Sequence, residues 1–220
     1  EEIVWTGPLP LLHDRCSQVG VMRTAPPEKL EEILSQAVRQ DRTVHLLPQT
    51  RPENVLKIWR WLGIAPGVLH KYISEPLIRA VVQQRSVKSA EEIEQIEAAL
   101  AICHEMHTTA MRLTRPGVVE REIAAAIDAV AMSHGVRPSF PTIFSRHGEI
   151  LHNPCYENTL KAGDIVVHDS GAESPLHYAG DITRTIPVSG RFSARQKEIY
   201  AIVQTAQERA ITAAKPGVEW

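Results

Sequence analysis

Apolar residues recur every three to four positions in five segments of the chain, and this spacing predicts five helices. The first two begin with a proline, which suits the first turn of a helix, and the second ends at Gly63. The third and the fifth open with capping boxes, Ser89 with Glu92 and Ser193 with Gln196. The predicted helices span residues 27–38, 52–63, 89–114, 119–135 and 193–214.

Alternation of apolar and polar residues predicts short strands between these helices. Strands are expected in EEIVWTG, TVHLLPQ, EILHN, DIVVHDSG and YAGDITRTIPVSG, which cover residues 1–7, 43–49, 149–153, 164–171 and 178–190. The pattern of elements resets near Arg85, just before the first capping box. We therefore expect an α/β domain over residues 1–85 and a second domain over residues 86–220.

Two similar helix stops lie 100 residues apart, each after a long helix that a serine capping box opens. They are RPGV at residues 115–118 and KPGV at residues 215–218. Chance is one explanation, because a basic residue followed by Pro-Gly is a common helix stop. An internal duplication is the other. If the duplication is real, the printed chain ends where its second half should begin.

Two aspartates lie twelve residues apart in the segment that alternation predicts to be a β-hairpin. Centring the hairpin on Pro175 sets Asp169 opposite Asp181, with Cβ atoms about 4.5 to 5.5 Å apart. Such carboxylates repel each other unless they share a proton, pair with a basic residue such as Arg184, or hold a cation. Alternatively, one aspartate lies in water at the hairpin rim while the other caps a turn. Spacing alone leaves all four arrangements open.

Composition limits the classes of partner. The 220 residues carry a formal net charge of -2 and a sequence pI near 6.6, so they hold no general attraction for nucleic acid or an anionic membrane. No apolar run approaches the roughly 20 residues that cross a bilayer, and the acidic start is unlike a signal peptide. Three scattered cysteines, Cys16, Cys103 and Cys155, suit a reducing compartment. We expect a cytoplasmic protein, and since no initiator Met is present, the printed chain is expected to begin inside a longer one.

Other candidates for chemistry carry weaker signals. His152, just before the hairpin, could be a ligand, a proton carrier or a donor to substrate, although a lone histidine is usually structural. The HEMH run at 104–107 is one residue short of the HExxH zinc motif, so we expect a helix-surface pair there. Trp59 and Trp61 point to different sides of a helix, which favours packing over nucleic-acid stacking.

One long run carries a family pattern. GDIVVHDSGAESPLHYAGDITRTIPVSGRFSARQKEIYAIV, residues 163–203, contains Asp-x-Gly, then Ala-Gly-Asp-Ile-Thr-Arg-Thr, then Pro-Val-x-Gly-x-Phe. It resembles the core of the Xaa-Pro aminopeptidases and Xaa-Pro dipeptidases, which are dinuclear metallopeptidases of the pita-bread fold. EILHNP is similar to the segment with an active-site histidine in that family, and VKSAEEIEQIEAA to the opening helix of its catalytic domain. The residues before it are similar in layout to the family's N-terminal α/β domain.

The resemblance implies a fold and a metal centre. The fold would be an α/β N-terminal domain followed by the first half of an α+β pita-bread catalytic domain, which is built from two related halves. Asp169 would bind one metal and Asp181 would bridge two, while His152 would be a catalytic residue that holds or polarises substrate. The metals would be two divalent ions, manganese first, with cobalt and zinc as alternatives. Substrate-binding residues stay unassigned.

The resemblance also implies an activity. The protein would be a metal-dependent exopeptidase that removes the N-terminal residue before proline, using a water held between the two metals. Proline-containing peptides would be its substrates, and it would form a homodimer or a larger homo-oligomer without nucleic-acid or membrane partners. The family's remaining ligands, one His and two Glu, would lie beyond Trp220, so the printed chain alone would be inactive.

Departures from the family pattern leave other functions open. The aspartates lie one residue further apart than in the family, which we interpret as an insertion in the ESPLH tip. Arg146 and His147 stand where small polar residues are expected, so the substrate pocket could differ. The alternative function is a non-catalytic pita-bread module that binds peptides or proteins, and loss of any remaining ligand would favour it. A creatinase-like amidinohydrolase shares the fold but not the metal, so Asp169 and Asp181 argue against it.

Overall fold

The computed structural model describes residues 2–219. The chain forms two compact units, a first unit at Glu1–Val87 and a second unit at Lys88–Trp220. Within the described residues, no helix combines the length and the apolar character needed to span a membrane.

The described part of the first unit is mainly helical. Its helices are α1 (Glu2–Thr6), α2 (Leu12–Gln18), α3 (Lys29–Arg39), α4 (Pro52–Leu62), a 3₁₀-helix (Pro66–Tyr72) and α5 (Glu75–Ser86). The helices predicted at 27–38 and 52–63 are confirmed as α3 and α4. Gly63 ends α4 with a φ of 69°, in the left-handed region that glycine adopts without steric cost.

The two strands predicted in the first unit are wrong. Most of EEIVWTG forms α1, while Glu1 lies outside the described residues. In TVHLLPQ only Leu46 pairs, through an isolated parallel bridge to Ile73. A strand is stable when neighbouring strands satisfy its backbone donors and acceptors, and the described part of this unit offers it a single bridge.

The second unit combines three helices with a small antiparallel sheet. These elements are α6 (Ala90–Leu113), α7 (Glu120–Ser133), β1 (Ile143–Ser145), β2 (Ile165–Ser170), β3 (Ile182–Pro187) and α8 (Ala194–Ala213). The strand order is β1-β2-β3, so β2 is central. Both predicted capping boxes are present, at Ser89 with Glu92 and at Ser193 with Gln196, and all three predicted helices are confirmed.

The core of the second unit lies where α6 and α7 pack against the sheet. Its buried residues include Cys103, Met106, Ile123, Ile127, Phe144, Leu160 and Val166. Along β2, Val166, His168 and Ser170 are buried, whereas Asp169 lies on the opposite face and is partly exposed. This alternation gives β2 one buried face and one partly exposed face, and it directs one of the two aspartates away from the core.

The predicted register of the hairpin is wrong by two residues. Asp169 pairs with Thr183, not with Asp181. The reason is the turn, which is organised by Ser174: its N–H donates to the carbonyl of Tyr178 at 2.8 Å, and its carbonyl accepts from the N–H of His177 at 2.8 Å. Because a shift of two residues preserves the faces of a strand, Asp169 and Asp181 become diagonal neighbours on one face of the hairpin.

The strand predicted in EILHN, residues 149–153, is also wrong. EILHN lies in a turn and a loop, with Ile150 and Leu151 exposed. The strand is instead β1, in which Phe144 pairs with His168. All three residues of β1 are buried, so the segment shows no alternation from which a strand could be predicted.

The ends of α6 and α8 have the same geometry. The residue after the last turn, Thr114 or Ala214, donates its N–H to the carbonyl four residues earlier. Gly117 and Gly217 follow with φ values of 91° and 86°. This agreement at a spacing of 100 residues supports the duplication hypothesis. The helices differ in burial, because α6 carries a buried stripe and α8 buries none of its residues.

Gly171 lets the end of β2 approach the returning chain closely. A Cβ atom at this position would overlap the carbonyl oxygen of Gly180 and the hydroxyl of Ser139. We predict that Gly171→Ala lowers the free energy of unfolding of the full-length protein by about 2 kcal/mol, because a backbone carbonyl cannot move aside cheaply. Urea unfolding measures this change. Gly67→Ala is the control, since nothing lies near its Cβ position, and equal losses in both variants would contradict the account.

Candidate active site

The structure brings the three predicted site residues into one cleft. Asp169, Asp181 and His152 line a cleft of about 500 Å³ in the second unit. Asp169 comes from β2, Asp181 immediately precedes β3, and His152 comes from the loop after β1. Three polar groups that are distant in sequence therefore face one space.

The two carboxyl groups of the cleft influence each other. An oxygen of Asp169 accepts a hydrogen bond from the Thr183 hydroxyl at 2.8 Å. Although Asp181 is largely exposed, partial burial of its carboxyl raises its pKa, and the charge of Asp169 and a hydrogen bond with Asp169 raise that pKa further. Positive charge in the cleft would therefore favour the ionised form of Asp181.

Arg184 does not supply this positive charge. Its guanidinium donates to the carbonyl of Thr183 at 2.7 Å and lines a separate groove beside α8. Among residues 2–219, no ion pair joins a basic side chain to Asp169 or Asp181. Of the arrangements left open by the sequence, a shared proton, a bound cation and an aspartate in water at the hairpin rim all fit this geometry, since Asp181 is exposed.

Apolar side chains form much of the rest of the cleft wall. Phe140, Pro141, Ile143, Pro154 and Tyr156 line it beside the polar residues. The Tyr156 hydroxyl donates a hydrogen bond to the carbonyl of Thr142, which fixes the Tyr156 ring against the wall. Sequence reasoning missed these residues as site residues. The available signal is the clustering of proline and aromatic residues in RPSFPTIF, residues 137–144.

A buried histidine pair lies on the other face of β2. His107 on α6 stacks on His168, with ring centroids 3.9 Å apart and planes inclined by 25°. The predicted surface pair in HEMH is therefore wrong for His107, although His104 is exposed. The reason is helix geometry, because His107 lies one turn from Cys103 on the buried stripe of α6.

Burial keeps both rings of this pair uncharged at neutral pH. It lowers the pKa of His168 to about 3, with a smaller contribution from the nearby His107. Burial also lowers the pKa of His107. Neither ring nitrogen of His107 makes a hydrogen bond of good geometry among the described residues, and the nearby backbone of Ser170 and Ile182 only partly offsets the cost of burying a charge there.

The described residues provide an incomplete donor set for a metal. Within residues 2–219, no group of three or more His, Cys, Asp or Glu side chains could hold a metal ion. Asp169 and Asp181 nevertheless present carboxylate oxygens to one cleft, and such oxygens suit divalent cations. The pair therefore fits part of a coordination shell that needs further ligands.

A family assignment follows from comparison with known proteins. The sequence profile of Metallopeptidase family M24 matches residues 94–220, which is more than half of the chain. The chain belongs to this family.

Individual relatives agree with the assignment. The Xaa-Pro aminopeptidase of Escherichia coli (strain K12) is 41% identical over 140 residues, which cover 62% of this chain and 32% of the relative. The Xaa-Pro dipeptidase of Pyrococcus furiosus is 42% identical over 137 residues, which cover 61% of this chain and 39% of the relative. The solved structure of zinc-substituted E. coli aminopeptidase P in complex with product matches with a TM-score of 0.79 and 29% identity, covering 98% of this chain and 51% of that chain.

These matches confirm the resemblance to the Xaa-Pro peptidases and the predicted pita-bread fold of the second unit. The chain spans between about a third and a half of the length of these relatives.

Because the histidine pair is buried, we expect the free energy of unfolding to fall in acid. Between pH 6.5 and about 3, His168 is protonated in the unfolded chain but not in the folded chain. Its contribution to the free energy of unfolding is therefore complete above pH 6.5 and is lost as the pH falls through this range. From pH 7 to pH 5 this loss amounts to roughly 2 kcal/mol for one such histidine. We predict that, between pH 7 and pH 5, the free energy of unfolding of His168→Leu falls by about 2 kcal/mol less than that of wild type. Urea unfolding of the full-length protein with a chelator present measures this difference.

The exposed histidine of the same helix provides the control. His104→Leu should retain the wild-type pH dependence, because His104 is exposed. An identical loss of stability in His168→Leu and wild type would show that the buried pair does not control acid sensitivity.

Proposed function

We propose that the protein is a metal-dependent exopeptidase that hydrolyses the bond between an N-terminal residue and proline. The observation that carries the proposal is the meeting of two carboxyls and an imidazole in one apolar-walled cleft. Membership of Metallopeptidase family M24 supports it, as do relatives named Xaa-Pro aminopeptidase and Xaa-Pro dipeptidase.

In this proposal Asp169 and Asp181 hold two divalent metal ions. Asp169 would bind one ion and Asp181 would bind both, and their positive charge would oppose the burial and the Asp169 charge that raise the pKa of Asp181. A zinc-substituted relative supports the use of divalent ions, and we propose manganese first, with cobalt and zinc as alternatives. When bound, the ions would polarise the scissile carbonyl and lower the pKa of water.

His152 acts on the substrate. Its exposed side chain lines the same cleft as the carboxyls, so a ring N–H can donate a hydrogen bond to a substrate carbonyl there. A fixed donor at this position orients the scissile bond and stabilises the negative charge that develops on its oxygen.

The apolar wall provides the preference for proline. Proline offers no amide N–H, so a site can recognise it only by the shape and apolar surface of its ring. The rings of Phe140, Pro141, Pro154 and Tyr156 line the cleft beside the carboxyls, and we propose that they receive the substrate ring.

The proposal extends to organisation and location. We retain an N-terminal domain over residues 1–85 and the first half of a catalytic domain over residues 86–220, which the two compact units support. We also propose that the protein forms a homodimer and is located in the cytoplasm. Cys16, Cys103 and Cys155 are all unpaired, which supports a reducing compartment.

A non-catalytic peptide-binding module is the second candidate. The apolar wall of the cleft favours it, because such a wall can bind a peptide without any metal. Such a module would bind proline-containing peptides in the same cleft without turnover.

Removing one carboxylate tests the metal centre. We predict that Asp181→Asn lowers hydrolysis of Xaa-Pro and Xaa-Pro-Yaa peptides by the full-length protein more than about 100-fold, and lowers its metal content, because a shared ligand is lost. Initial rates and elemental analysis measure both effects. Glu173→Gln removes the same charge from the same hairpin, outside the cleft, and should change neither. Full metal content with near-normal turnover in Asp181→Asn would refute the proposal.

Removing the imidazole tests its role separately. We predict that His152→Ala lowers kcat by about 100-fold and leaves metal content unchanged, because His152 contacts substrate and is not a ligand. Steady-state kinetics and elemental analysis distinguish the two roles. His104→Ala, at an exposed position of α6 that does not line the cleft, is the control. Wild-type kinetics in His152→Ala would remove His152 from the site.

A further inference from the structure

Glu120 is a fully buried carboxylate that the proposed chemistry does not use. It is the first residue of α7 and has 0% exposure. A buried carboxylate is costly unless hydrogen-bond donors surround it. Here one oxygen accepts from the N–H of Arg146 at 2.8 Å, and the other accepts from the N–H and the side-chain amide of Asn158 at 3.2 and 2.9 Å. Each oxygen therefore holds a different segment of chain.

The two segments are the ends of the loop that carries His152. Arg146 and Asn158 bound this loop, and His152 lies at its midpoint, six residues from each. The loop contains no helix or strand, and within the described residues His152 makes no hydrogen bond of its own. The position of the imidazole therefore depends on how the ends of the loop are held.

Further contacts tie the same ends to the rest of the unit. The backbone N–H of Glu120 donates to the carbonyl of Asn158 at 3.0 Å, so the second end is held in both directions. Near the first end, the Ser145 hydroxyl oxygen accepts from the N–H of His147 at 3.0 Å and from the side chain of Asn153 at 3.1 Å. Glu120 contacts both ends at once.

The chemistry of the contact requires a carboxylate. Both oxygens of Glu120 accept, whereas the glutamine amide has one acceptor and one donor group. In Glu120→Gln, one end of the loop would face an N–H group and lose its acceptor. A favourable interaction with the N-terminus of α7 is not sufficient to explain this residue, because Glu122 lies in the same turn, is exposed, and has no role in the loop.

We propose that Glu120 is a positioning residue that sets His152 in the cleft by holding both ends of its loop. The inference rests on the proposed role of His152 in peptide hydrolysis. It adds a residue from α7, buried outside the cleft, on which that role depends.

Kinetics of single and double variants of the full-length protein test the coupling. We expect Glu120→Gln to lower kcat on an Xaa-Pro-Yaa peptide by up to about 100-fold, with metal content unchanged, because the imidazole is displaced. The double variant Glu120→Gln/His152→Ala should be no slower than His152→Ala alone, since both changes remove the same contribution. Glu122→Gln should match wild type. A double variant slowed by the product of the two single effects would overturn the proposal.

Two measurements test the positioning without activity. Hydrogen exchange in residues 147–157 should accelerate in Glu120→Gln, and the ring signals of His152 in selectively labelled protein should shift, while Glu122→Gln changes neither. Unchanged His152 signals in Glu120→Gln would overturn the proposal even if kcat fell. If wild type failed to hydrolyse Xaa-Pro peptides, the proposed function would fall, and these signals would still decide whether Glu120 positions His152.

A milder variant keeps the test decisive if Glu120→Gln does not fold. Asn158→Ala removes one of the three donors to Glu120 and leaves the backbone contacts in place. We expect a smaller shift of the His152 signals in the same direction. A folded Asn158→Ala protein with wild-type His152 signals and wild-type exchange would overturn the proposal.

Discussion

The close approach of two carboxyls, Asp169 and Asp181, is the interaction on which the site depends. Strand pairing places them diagonally on one face of the β2–β3 hairpin, where partial burial and then the neighbouring Asp169 raise the pKa of Asp181. No basic side chain pairs with either carboxyl within residues 2–219. A fold gains nothing from such repulsion alone, which is why we propose that the pair is part of a cation site that other ligands complete.

Strand β2 links this site to the core. Its alternation places His168 against His107 on the buried side and Asp169 in the cleft on the other. The packing that keeps two histidines neutral thus also determines where a carboxylate points. Glu120 acts in a comparable way on the third member of the site, since its buried contacts set the ends of the loop that presents His152.

Local signals in the sequence predicted most of the second unit, and non-local contacts explain the failures. The capping boxes at Ser89 and Ser193 act within one turn and were correct, as was the alternation along β2. The predicted hairpin register was wrong because hydrogen bonds of Ser174 determine the turn, whereas the prediction centred the hairpin on Pro175. Glu120 was missed because an acidic residue in the first turn of a helix usually interacts only with the helix dipole.

Anomalous diffraction from crystals of the full-length protein grown with manganese tests the central claim most directly. The account predicts two metal peaks at the carboxyls of Asp169 and Asp181, with the Asp181 carboxylate in contact with both. Carboxyls hydrogen-bonded to each other, with no metal peak beside them in a protein that still hydrolyses Xaa-Pro peptides, would contradict it.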